Sequence, residues 1–326
     1  MLATVPIWGS CEEITRVRVS LPVEVRRPPL LPGPESGPSG VSLLCENLQI
    51  TGSYKIRAAF SVCYRYLAAG SPGRGIAVSS SGNFAIAFAY AGRALGITVS
   101  VVMMNKSSPF KALRAASYGA RIVRCGDHTE DRLSTLRQLR DKEGWWMLDH
   151  LEDSGVVVGH ATLGLDLCQA WKLQSPDPLS QVLVPVSTAG LASGVALAVK
   201  QHFPECRVVG VQSEGSDAAA QSFRAGQIMV RDRVETECDA LTANRTGALT
   251  LSVALDWLDD VVTVNEGAIL DSVVTLLQDS HLLVEPGGAV GFAALVSGIV
   301  SPQPNTVVVL SGGNLDLDRL SGWRKG

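Results

Sequence analysis

Two periods of apolar placement alternate along this chain. Short runs of Val, Ile and Leu give way to longer stretches in which apolar side chains return every three or four positions, and the switch repeats to the end. The short runs predict strands over Val41–Glu46, Gly75–Ser79, Thr98–Met103, Arg121–Arg124, Trp145–Leu148, Gln181–Val186, Val208–Gln212, Asp260–Val264 and Thr306–Leu310. Between them, helices are expected over Lys55–Leu67, Phe84–Leu95, Pro109–Tyr118, Thr129–Lys142, Gly159–Trp171, Leu191–Phe203, Gly215–Ala225, Leu249–Leu258, Glu266–Asp279 and Gly288–Val300. The first of these helices turns Ile56, Ala59, Phe60, Val62, Cys63 and Tyr66 to its apolar side. Residues 1–41 read as irregular, with a proline-rich stretch from Arg26 to Pro38.

Strand–helix alternation of this kind implies an α/β fold with parallel-stranded sheets flanked by helices. Two lobes are the economical arrangement. Residues 75–152 form a small βαβαβ unit, and 1–74 with 153–326 form the larger one. A ligand is expected in the crevice between them, at the carboxyl ends of strands.

Composition narrows the function. The chain is 46% hydrophobic and 18% charged over 326 residues, so a large core is available. A net charge of −3 makes nucleic acid and anionic membranes poor electrostatic partners. No apolar stretch is long enough to span a bilayer, and Met1–Ser10 lacks the pattern of a signal peptide. Seven cysteines, scattered and without a C-x-x-C pair, argue against a disulfide framework or a zinc site. A soluble, cytoplasmic protein with reduced thiols is expected.

Four segments carry candidate chemistry. Lys55 follows the turn Thr51-Gly52-Ser53-Tyr54 at a helix start. Lysines on helices are mostly solvated, but here the positive helix end disfavours the ammonium and favours a nucleophilic amine. Ser79-Ser80-Ser81-Gly82-Asn83 is either a helix cap or an anion-binding turn, and the two readings share the same free N–H groups. Ser187-Thr188-Ala189-Gly190-Leu191 is either a tight strand–helix turn or a phosphate nest. Ser311-Gly312-Gly313-Asn314 ends an apolar strand with a hydroxyl, which can meet a ring nitrogen. One lysine plus these loops is what an aldehyde cofactor with a phosphate tail requires.

Together, in this order, the segments resemble the fold-type II pyridoxal-phosphate enzymes, closest to the serine/threonine dehydratase and serine racemase group. Gly52-Ser53-Tyr54-Lys55-Ile56-Arg57 is similar to that family's Schiff-base motif. Pro109-Phe110-Lys111, Tyr118-Gly119-Ala120, Gly159-His160-Ala161-Thr162 and Glu285-Pro286-Gly287-Gly288-Ala289 extend the match. The resemblance implies a two-lobed enzyme with pyridoxal 5'-phosphate in the inter-lobe cleft. It implies that Lys55 links the cofactor and takes the Cα proton, with Ser81 a second acid/base on the opposite face. Asn83 would meet the phenolic oxygen, Ser187, Thr188, Ala189, Gly190 and Leu191 the phosphate, and Ser311 the ring nitrogen. Ser80, Ser81, Asn83, Phe84 and His160 would line the amino-acid site.

The resemblance also implies β-elimination from a β-hydroxy amino acid to a 2-oxo acid and ammonia, in a homodimer. The alternatives are β-replacement of the cysteine-synthase type or racemisation. Three departures stand out. The phosphate loop is Ser-Thr-Ala-Gly where the dehydratases carry glycines, Phe84 stands at a usual histidine, and His160 at a usual glutamine. No resident metal is expected: Glu214 matches one carboxylate of the family's cation site, but Ala220 falls at the other, with Asp217 nearby.

Overall fold

The computed structural model describes residues 7–80 and 82–323. Among these residues the strands are β1 (Leu30–Pro32), β2 (Val41–Cys45), β3 (Ile76–Ser79), β4 (Val99–Met104), β5 (Arg121–Cys125), β6 (Trp146–Met147), β7 (Gln181–Pro185), β8 (Arg207–Ser213), β9 (Asp260–Val264) and β10 (Thr306–Leu310). They form two sheets, ordered β1-β2-β10-β7-β8-β9 and β5-β4-β3-β6. Every pair is parallel except β1 with β2. The α/β class with helix-flanked parallel sheets is thus as the alternation predicts.

Three elements differ from expectation. The N-terminal stretch holds a helix, Cys11–Ser20, capped by Ser10, whose Oγ accepts from Glu13 N at 3.2 Å. It also holds β1, an edge strand where Pro32 is tolerated because the outer side needs no ladder donor. The helix expected from Gly159 begins at Ser154, capped by the Asp153 carboxylate, and runs to Gln174. Its glycines weaken the helical signal but serve packing: a Cβ on Gly159 would come within 2.6 Å of Ala58 Cα. That close approach fixes the Lys55–Ala68 helix against its neighbour.

A buried charge cluster pins the same helix. Arg57, fully buried, donates to Glu46 and to Asp166, both at 2.8 Å, and Arg18 reaches Asp166 at 2.8 Å. Such a cluster contributes little net stability when intact, but losing one partner strands a charge in the core, at about 3–5 kcal/mol. The end of β2, the helix behind Lys55 and the helix Ser154–Gln174 are therefore held at one point.

Candidate active site

Lys55 sits at the first turn of its helix, on a turn zipped to the turn after β10. Tyr54 N donates to Ser311 O (3.1 Å), Gly313 N donates to Gly52 O (2.8 Å), and Ser53 bridges Gly312. Gly52 has φ +73°, and a Cβ there would collide with the Asn314 side chain, so glycine is required on both counts. These backbone bonds set Lys55 and Ser311 on one small cavity, which Tyr54, Asn83, Ser187, Thr188, Gly190 and Leu191 also line. The Lys55 Nζ lies 4.5 Å from the Tyr54 ring centroid and 5.5 Å from that of Phe84. Burial pulls its pKa down to about 8, against a smaller upward pull from Glu285. That raises the neutral amine fraction by roughly two orders of magnitude over an ordinary lysine.

The Asn83 side is built differently. Ser80 Oγ accepts from Gly82 N and Ala85 N, both at 3.1 Å, so the cap alternative holds for Ser80. It starts the helix Asn83–Leu95 with Asn83 buried. The Asn83 Nδ2 donates to Glu285 Oε1, and its Oδ1 accepts from Asn314 Nδ2 at 2.9 Å. Lys111 Nζ donates to the other Glu285 oxygen at 2.7 Å and to Asp239 at 2.9 Å. Burial opposes the Lys111 charge, but the two carboxylates hold its pKa above the usual lysine value. Burial pushes the Glu285 carboxyl up, and Lys111 pulls it partly back.

A second cavity opens from Lys55 toward Ser79, Ser80, Phe84, Arg132 and His150. Phe84 packs on Phe88 (4.6 Å) and His150 (5.5 Å). Burial, with Lys55 and Arg132 nearby, lowers His150 to about 3, so its ring is neutral. Burial also lowers Arg132, whose Nε lacks a partner and which makes no ion pair among the described residues. A wider inter-lobe cleft of about 690 Å³ shares Arg132 and Thr242 with this cavity.

Lys55, Asn83, Ser187, Thr188, Gly190, Leu191 and Ser311 converge, and Ser80 and Phe84 join them. Ala189 sits just behind, with φ +70° at the start of the helix Gly190–His202. Ser81 lies outside the described residues. His160 is buried, packs against the Tyr54 ring with centroids 4.8 Å apart, and lies close to Gly190 without lining either cavity beside Lys55. Asp217 accepts from Arg231 and Gln221. No group of three or more His, Cys, Asp or Glu side chains able to hold a metal occurs among the described residues.

Residues that the sequence reading passed over are Tyr54, Arg132, His150, Asp239, Lys111, Arg114 and Glu285 as site members. Glu285 and Lys111 stood in quoted motifs without a role. Arg132 sits in a helix of mixed charge that reads as solvated, and no local signal marks it.

The family model described as "Pyridoxal-phosphate dependent enzyme" matches residues 23–312, and the chain belongs to this family. It is 33% identical over 284 residues to "L-threonine dehydratase catabolic TdcB" of Escherichia coli (strain K12), covering 86% of this chain and 84% of that one. Its fold superposes on maize serine racemase with TM-score 0.87 at 29% identity, covering 95% of each chain. A threonine deaminase from T.th. gives TM-score 0.85 at 32% identity, covering 94% of this chain and 99% of that one.

The cofactor is therefore pyridoxal phosphate, and the residues fit it. An amine with a lowered pKa faces the cavity. A helix N-terminus brings N–H groups that lack intrahelical acceptors. At Gly190 a Cβ would find no protein atom closer than 3.6 Å, which leaves that face of the loop open. No helix among the described residues is long and apolar enough to cross a membrane.

Proposed function

We propose that this chain is an ammonia-lyase: it eliminates water from a β-hydroxy amino acid of the serine/threonine type, giving a 2-oxo acid and ammonia. The observation that supports it most is the buried Lys55 amine, with its pKa near 8, at a cavity that also holds Ser311, Asn83 and the Ser187–Leu191 turn. The dehydratase named above, at 33% identity over most of both chains, supports the reaction class.

Pyridoxal phosphate, when bound, supplies an electron sink for charge left at Cα. Every other task falls to the chain. Lys55 would hold the cofactor covalently in the resting enzyme, and its amine, once displaced by the amino group of the substrate, would remove the Cα proton. The N–H groups from Ser187 to Leu191 would hold the phosphate, with the Ser187 and Thr188 hydroxyls beside them. The hydroxyl of Ser311 would meet the ring nitrogen as an uncharged partner, which suits loss of a good leaving group over deeper carbanion chemistry.

Ser80, Ser81 and Asn83 present the substrate carboxylate loop. Arg132 adds a cation, without an ion-pair partner among the described residues, at the rim of the same cavity. Phe84 and the neutral His150 ring give the substrate side chain a partly apolar wall.

The division into residues 75–152 and the remainder, a homodimer and a cytoplasmic location belong to the same reading. The test incubates purified protein with L-serine, L-threonine and other β-hydroxy amino acids and follows 2-oxo acid and ammonia. Equal release of both is expected. Turnover that requires an added thiol or amine nucleophile, with no free ammonia, would replace the lyase with a β-replacement enzyme.

A further inference from the structure

Lys111 and Arg114 stand three positions apart on the helix Pro109–Ser117, so they share a face. Both reach the surroundings of Asn83. Arg114 donates to Asn314 Oδ1, and Asn314 Nδ2 donates to Asn83 Oδ1 and to Thr51 O, each at 2.9 Å. Asn83 Nδ2 donates to one Glu285 oxygen, and Lys111 donates to the other.

Each amide in this chain of bonds could point either way on its own, because its oxygen and nitrogen have the same shape. The ends remove that freedom. A guanidinium and an ammonium can only donate, and an ionised carboxylate can only accept. Arg114 demands the oxygen of Asn314 and Thr51 O, which can only accept, demands its NH2, and together they turn that NH2 to Asn83. Lys111 holds the Glu285 carboxylate as an acceptor, which demands the NH2 of Asn83. Counting the bonds, the Asn83 oxygen faces Asn314 and one N–H faces Glu285. Its remaining N–H is the one donor left to meet a ligand in the cavity that Asn83 lines.

We propose that Lys111 and Arg114 are positioning residues that fix the direction of this hydrogen-bond chain, so that Asn83 directs its free N–H at the bound cofactor. The inference rests on the cofactor site proposed above and deepens it. A ligand atom facing that N–H must then be an acceptor, which a deprotonated phenolic oxygen is. Without Lys111 the buried Glu285 carboxyl takes up a proton more readily and can donate, which lets the Asn83 amide turn over and present its oxygen. Without Arg114 the Asn314 amide keeps only Thr51 O to orient it, so the constraint on Asn83 is weakened rather than lost.

The chain of bonds also crosses between lobes. Lys111, Arg114 and Asn83 come from the part that carries β3–β6, whereas Glu285, Asp239 and Asn314 come from the part that carries the six-stranded sheet. The donor is thus set only when the two parts meet.

The test uses the full chain loaded with pyridoxal phosphate, without substrate. It compares Lys111→Met, Lys111→Arg, Arg114→Met and Arg114→Lys with wild type. Cofactor dissociation constants, visible absorption against pH and thermal midpoints are measured. Lys111→Met should raise the dissociation constant about tenfold or more, the scale of one charge-assisted hydrogen bond, and shift the visible absorption or its pH midpoint. Arg114→Met should move both in the same direction by less. The Arg and Lys replacements keep an obligate donor and should restore most of each.

Arg114 is only half-buried, so its variants carry the test if Lys111→Met does not fold. Wild-type affinity and spectrum in the Met variants, with only the thermal midpoint lowered, would reduce both residues to structural props and overturn the inference. No visible absorption in the wild type would instead sink the cofactor site itself and the inference with it.

Discussion

The two flanks of the cavity are held by different means. On the Lys55–Ser311 flank, backbone bonds between two turns do the positioning at the cavity itself, Gly52 must lack a side chain, and the Arg57 cluster holds the helix from behind. On the Asn83 flank, side chains hold side chains: Lys111, Glu285, Asn314 and Arg114 around one amide. Backbone positioning tolerates change in most neighbouring residues. Side-chain positioning ties each residue to a specific donor or acceptor and fails by substitution. The chemistry that must not vary, the lysine and its seat, is on the tolerant flank.

Four substitutions probe this contrast, from the largest effect to the smallest. Lys55→Ala should abolish turnover and covalent cofactor retention while the thermal midpoint of the cofactor-free chain stays near wild type. The seat is made by the main chain, which alanine leaves in place. Near wild-type turnover in a rapid assay would remove Lys55 from the reaction.

Glu285→Ala should be the most damaging to folding. It leaves the buried Lys111 with only Asp239, which is one-third exposed, and frees the Asn83 amide. A loss of about 3–5 kcal/mol is expected from urea unfolding. A loss below about 1 kcal/mol would mean that the second flank is no more dependent on side chains than the first.

The third concerns pH. His150 is held neutral down to about 3 when folded, against an ordinary value near 6.5. Lys55 is held to about 8 against about 10.5. In both, the unfolded chain binds the proton more readily, so stability rises with pH across each window. For the cofactor-free protein, stability should fall as pH drops from about 6.5 toward 3, and rise as pH climbs from about 8 to about 10.5. His150→Phe should flatten the acid part of that profile. An unchanged acid limb would place the imidazole in solvent.

The smallest effect belongs to the phosphate turn. Ala189 adopts φ +70°, a conformation that costs a non-glycine residue about 1–2 kcal/mol. Ala189→Gly should relieve part of this, less the extra freedom glycine has when unfolded, for a net gain of about 0.5–1 kcal/mol. Denaturant titration checks it, and a loss of stability would show that the methyl group packs usefully.

The same contrast explains what could be read from the sequence. The seat of Lys55, the turns at Ser187 and Ser311, and most strands were legible because each is a local pattern: an apolar run followed by small residues. Around Asn83, the residue was legible but its partners were not. Glu285 lies 202 positions away and Asn314 lies 231 away, and no local pattern couples such distances. Arg132 and His150 were missed because a charged helix face and a lone histidine look the same whether they meet solvent or a cavity. The helix Cys11–Ser20 was missed because a proline-rich neighbour dominates the reading of that stretch.

The position of β10 has a consequence for how the protein is made. This strand is the latest among those described, yet it lies in the interior of the large sheet, between β2 and β7. The turn that follows it completes the seat of Lys55. A chain still on the ribosome holds Lys55 early but cannot seat it until residues past 310 emerge, on the order of tens of seconds later at about 5–20 residues per second. During that wait β2 and β7 each keep an unpaired edge, open to pairing with other nascent chains. Synthesis rate and chaperone access over that interval should govern the yield of active protein more than any residue in the cavity does. The reactive lysine gains its setting only once those residues have left the ribosome.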